Sequence, residues 1–104
     1  MPQVEAQTTV EVTGWVTKFV GGDGSGRRLY AEPLAPGDKL RDILRRVSAR
    51  HPELDAALWD ASKQELAENI EVLVNDAVLG ISHSLDSKLQ PGDRITLVGQ
   101  YMGG

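Results

Sequence analysis

The chain has 104 residues, of which 40% are hydrophobic and 25% charged, with a formal net charge of −4 and no cysteine. That balance suits one globular domain over residues 1–104 with a core large enough to fold unaided, and it excludes disulfides, thiolate metal sites, iron–sulfur clusters and a catalytic thiol. The acidic sum disfavours general binding to phosphate backbones. No basic segment followed by an apolar run comes after Met1, and nothing approaches the roughly 20 apolar residues of a membrane span, so a cytoplasmic protein without membrane or nucleic-acid partners is expected.

Residues 1–7 read as a flexible lead-in. Val10, Val12 and Val16 then share one parity while Glu11, Thr13 and Thr17 take the other, which predicts a strand over 8–14 with room to continue. Gly21-Gly22-Asp23-Gly24-Ser25-Gly26 predicts a mobile hairpin loop, and Arg27 to Glu32 the returning strand. Ala35-Pro36-Gly37-Asp38 marks a turn, with Asp38 as helix N-cap. Leu40, Ile43, Leu44 and Val47 follow the spacing of a helix buried on one face, and Arg41, Arg45, Arg46 and Arg50 cover much of the rest. Pro52 ends that helix at or near His51.

Leu54, Leu58 and Trp59 predict a short helical turn or loop packed on the core. Ser62 to Asn69 reads as irregular, or as one more helical turn. Ile70-Glu71-Val72-Leu73-Val74 is the most strand-like run, Asn75-Asp76 a turn, and Val78-Leu79 the start of a partner strand. Leu85 to Leu89 reads as a small helical turn and Gln90-Pro91-Gly92-Asp93 as a tight turn. Arg94-Ile95-Thr96-Leu97-Val98 is the closing strand, with Ile95 and Leu97 inward, followed by a flexible tail over 99–104. The order β-β-α-β-β-β predicts a two-layer α+β sandwich, a mixed sheet covered by one main helix.

Sites of other classes find little support. The Gly21–Gly26 loop lacks the Lys and Ser/Thr of a phosphate-binding loop. His51 and His83 stand far apart with no ligand cluster, so no metal site is expected. The arginines of the helix read as its wet face. Trp15 and Trp59 fit core or sheet-face anchors as well as partner contacts.

The sequence closes on Gly103-Gly104 shortly after its last strand. A frayed end reads the same way, yet the pair has a specific use. Glycines let a backbone enter a narrow cleft, and a terminal Gly leaves its carbonyl open to attack. Activation of the Gly104 carboxylate needs a tail that projects from a rigid base, which the closing strand supplies.

From about Thr8 to Gly104 the chain resembles the MoaD/ThiS family of ubiquitin-like sulfur carriers. Three stretches carry the likeness. Leu40-Arg41-Asp42-Ile43-Leu44 through Ala49-Arg50-His51-Pro52-Glu53-Leu54 is similar to the family helix and the segment after it. Ile70 to Asp76 is similar to its "VNVNG" strand and turn. Leu89-Gln90-Pro91-Gly92-Asp93-Arg94-Ile95-Thr96-Leu97 is similar to its "L-x-D-G-D-x-V-x-I" stretch, ahead of the Gly-Gly end. Family tails commonly read "P-P-V-A-G-G", where this one reads Gly99-Gln100-Tyr101-Met102-Gly103-Gly104.

The resemblance implies an α+β, ubiquitin-like β-grasp fold and a carrier rather than an enzyme, with no bound cofactor. A ubiquitin-activating-like enzyme would use ATP to adenylate Gly104. A sulfurtransferase or persulfide donor would then convert it to a thiocarboxylate, and a client synthase would take the sulfur for molybdopterin, thiamin, cysteine or thiolated tRNA. Two alternatives stay open: a protein modifier joined to lysine through Gly104, and a β-grasp binding module with an inert tail. Partners are expected on the sheet face opposite the helix, where parity suggests Val72 or Val74, Thr96 or Val98, and in the tail Tyr101 and Met102.

Overall fold

The computed structural model describes residues 6–60, 62, 65–78 and 84–99. Five strands form one mixed sheet: β1 (Gln7–Thr13), β2 (Arg27–Pro33), β3 (Ile70–Val74), β4 (Ala77–Val78) and β5 (Arg94–Gly99), in the order β2-β1-β5-β3-β4. β1 and β5 run parallel in the middle, and every other pairing is antiparallel. Helices α1 (Leu40–Ala49) and α2 (Pro52–Leu58) belong to the same core.

Alternation along the strands builds that core. Val10 and Val12 of β1, Ile70, Val72 and Val74 of β3, and Ile95 and Leu97 of β5 all point to one face. Leu40, Ile43, Leu44 and Val47 of α1 meet them there with Leu54, Leu58 and Trp59. The α+β β-grasp expectation is thus met, and α2 extends the cover that one helix was expected to give.

Three local expectations are corrected and one is extended. The first strand stops at Thr13, because Gly14 takes a left-handed φ of 59° and opens a 3₁₀ segment, Gly14–Val20. Val16 and Val20 are buried by that segment and not by a longer strand. Asp38 does not cap α1: its carboxylate accepts from the Ala35 amide at 2.8 Å and from Arg46 at 2.7 Å, while Asp42 accepts from the Lys39 amide at the helix start. Pro52 not only follows the end of α1 at Ala49 but opens α2, its fixed φ suiting a first helical position. Leu85 and Leu89 are buried from a turn, not a helix, and Lys88 bridges to Lys39.

The Gly21–Gly26 loop, expected to be mobile, is knitted to Thr17. The Thr17 hydroxyl donates to Gly14 O at 2.7 Å and accepts from the Gly24 amide at 3.0 Å, and Thr17 O accepts from the Gly22 amide at 2.7 Å. Elsewhere Asn75 and Asp76 form the expected turn, both with positive φ. The Asn75 side chain donates to Asp93 at 3.0 Å and accepts from the Arg94 amide at 2.9 Å, which fixes the entry to β5.

Candidate functional site

The place where β5 hands over to the C-terminal tail is held from three sides. Gly99 pairs with Ile70 of β3. One residue pair back, the Thr13 hydroxyl at the end of β1 donates to Leu97 O at 3.1 Å. On the third side Trp15, in the 3₁₀ segment, lies against Gly99 so closely that a Cβ there would overlap indole Cε2 and Nε1 and stand 2.6 Å from Cζ2. The Phe19 ring meets Trp15 edge-on at 5.8 Å between centroids. Gln100, Tyr101, Met102, Gly103 and Gly104 lie outside the described residues, as does His83.

The outer sheet face, away from the helices, carries a row across the strands. Leu29 pairs with Glu11, Glu11 with Thr96, and Thr96 with Leu73. Leu29 is 55% exposed, and among the described residues it is the one large hydrophobic side chain so exposed. Glu11 is tied down by Arg27 at 3.0 Å and by the Thr96 hydroxyl at 3.3 Å. Towards the tail, Val98 pairs with Glu71, and both are half-buried.

The parity suggested for partner contacts needs one correction. Val72 and Val74 are core residues, 1% and 0% exposed, and face the helices. Thr96 and Val98 do lie on the outer face, although Thr96 is only 7% exposed between its neighbours. Leu73 and Glu71 are the β3 residues on that face. The signal was present in the run itself: Glu71 is the polar member of its strand and marks the parity that leaves the core. Leu29 followed from the hairpin register, which no residue type announces.

The helix arginines are not a free basic stripe. Arg50 meets Glu32 at 2.7 Å, Arg46 meets Asp38 at 2.7 Å and Glu32 at 3.5 Å, and Arg41 meets Asp86 at 3.2 Å. Arg45 packs over the Trp59 ring, 4.8 Å from its centroid. The Arg46 bond and the Ala35 amide hold the Asp38 carboxyl below its ordinary pKa. The same partners push Arg46 and Arg50 up, Asp38 acting on the first and Glu32 on the second. Among the described residues no cluster of His, Asp or Glu could hold a metal ion, and no helix is long and apolar enough to cross a membrane.

No protein-family model matches the chain by sequence, and no curated protein does. Solved structures do. The small archaeal modifier protein 1 of Haloferax volcanii superposes with a TM-score of 0.76 at 20% identity, over 94% of this chain and 99% of that one. The Amycolatopsis orientalis BexX/CysO complex contains a chain similar at a TM-score of 0.69 and 25% identity, over 93% of this chain and 99% of that one. A protein of Pyrococcus furiosus described as a molybdopterin converting factor subunit 1 matches at a TM-score of 0.68 and 17% identity, over 92% and 99%. With β1 and β5 parallel at the centre of a five-stranded sheet and α1 across it, the chain has the ubiquitin-like β-grasp fold of the MoaD/ThiS sulfur carriers.

Proposed function

We propose that the chain is a sulfur carrier whose Gly104 carboxylate is activated and converted to a thiocarboxylate. The observation that carries this reading is the root of the tail. Gly99 is paired with β3 and covered by Trp15, and Leu97 two residues before it is bonded to Thr13 of β1, so the residues after Gly99 start from a rigid base. Five further residues can extend about 17 Å, a reach that suits insertion into the active site of a docked enzyme.

The chemistry follows from the terminus. The Gly104 carboxylate attacks the α-phosphorus of ATP on a ubiquitin-activating-like enzyme, and pyrophosphate leaves. The acyl carbon of the adenylate is then electrophilic and unshielded by any side chain. A persulfide's terminal sulfur displaces AMP, and a thiol reduces the resulting acyl disulfide to the thiocarboxylate. With no cysteine in the chain, sulfur has no persulfide seat, and the acyl terminus is left to hold it. A client synthase for molybdopterin, thiamin, cysteine or thiolated tRNA would be the acceptor. The outer sheet face around Leu29, Leu73 and Val98 is the proposed docking surface, with Tyr101 and Met102 as tail contacts.

Intact-mass measurement after incubation with ATP, an adenylating enzyme and a persulfide donor tests this. Replacement of one oxygen by one sulfur, mapped to the C-terminal peptide and lost to a thioacid-trapping electrophile, is the expected result. The likeness to a small archaeal modifier protein favours a second reading, transfer of Gly104 to a lysine amine. Adenylate formation without sulfur uptake, accompanied by lysine-linked conjugates, would favour it instead.

A further inference from the structure

Gly99 does not owe its identity to backbone angle. It is absent from the residues with positive φ, which include Gly14, Gly21 and Gly92. What a side chain at 99 would meet is the indole of Trp15, whose Cε2 and Nε1 occupy the space of the missing Cβ. The close approach is therefore the feature that glycine permits at this position.

The indole approaches from a firm seat. Val16 and Val20, which follow it in the 3₁₀ segment, are buried in the core. Thr17 is 1% exposed and bonds to Gly14, Gly22 and Gly24, so the segment and the loop after it are one knot. Phe19 backs the ring edge-on. Trp15 thus closes over Gly99 from one side while Ile70 pairs with it on the other.

We infer that Trp15 is a positioning residue for the tail: its indole clamps Gly99 and so holds the backbone at the point from which residues 100–104 follow. The inference rests on the sulfur-carrier reading and deepens it. Glycine is the least restrained residue at a chain's exit, and an angular error at the root is carried along the whole tether. Misplacement by about 1 Å can lower a rate about 100-fold. Docking of the body depends on the outer sheet face, so loosening the root should lower kcat and leave KM almost unchanged.

Pyrophosphate exchange by an adenylating enzyme gives the test. Trp15→Ala is expected to lower kcat about tenfold with KM within about twofold of the parent, and Trp15→Phe, which keeps a ring, to recover most of the loss. Should Trp15→Ala not fold, Trp15→Leu fills the seat without a ring plane and should show the same kcat loss. Adding Gly99→Ala to Trp15→Ala should lower kcat no further, since one contact is removed once. Unchanged kcat in the folded variants, or a second full loss in the double variant, would overturn the clamp. An enzyme-free measurement separates the two readings: in Trp15→Ala the backbone order parameter of Gly99 should fall from about 0.85 to below about 0.6. Gly99 equally rigid in that variant would overturn the clamp, whereas exchange absent from the parent protein would overturn the carrier reading.

Discussion

Glu32 shows how single side chains hold the helix layer to the sheet edge. It sits on β2 with its side chain 4% exposed, and Arg46 and Arg50 of the α1 end converge on it. Both arginines are 41–50% exposed and can rehydrate, so removing the carboxylate forfeits the charge-assisted bonds without stranding a buried charge. Glu32→Gln should therefore lower unfolding stability by about 1.5 kcal/mol, read as a shift in the urea midpoint at unchanged slope. Asp38 adds a pH-dependent part. Its folded pKa lies below the ordinary value because Arg46 and the Ala35 amide favour the carboxylate. Its stabilisation is complete above the unfolded value of about 3.9 and fades as pH falls through the lower folded value. Asp38→Asn should be less stable than the parent at pH 7, and the difference should shrink below about pH 4. Urea titrations at both pH values check this, and a difference that grows on acidification would contradict the assignment.

Elements differ in how openly the sequence writes them. α1 was legible because Leu40, Ile43, Leu44 and Val47 repeat at helical spacing and all four are buried. β5 was legible because Ile95 and Leu97 alternate with Thr96. β3 was located correctly but turned over: Leu73 breaks the apolar–polar alternation, so parity had to be decided by Glu71 alone. The consequence is testable within one strand. Val72→Ala should destabilise the fold by about 2 kcal/mol, because it opens space in the core. Leu73→Ala should change stability by less than about 1 kcal/mol yet weaken binding of the adenylating enzyme. Equal destabilisation by the two would return the strand to the other parity. The 3₁₀ segment was not legible because Val16 continues the parity of Val10 and Val12, and only the left-handed φ at Gly14 diverts the chain. The approach of Trp15 to Gly99 joins residues 84 positions apart, and no local pattern encodes such a contact.

At the scale of the whole molecule, the proposed function makes the fold a mount and puts the chemistry beyond it. The parallel β1–β5 pair lies at the centre of the sheet, and among the described residues the last pairing of β5 is that of Gly99 with Ile70 of β3. The expectation of a β-grasp body was readable because helix, turns and closing strand came in order. The role proposed for the tail was readable only through its likeness to the sulfur carriers. If Gly104 is the working group, its loss should leave folding unchanged, because an end residue contributes little stability. The most direct measurement is ATP–pyrophosphate exchange by an adenylating enzyme with the full chain and with the chain lacking Gly104, both confirmed folded. Exchange is expected with the full chain and none above background without Gly104; undiminished exchange by the shortened chain would contradict a working role for Gly104.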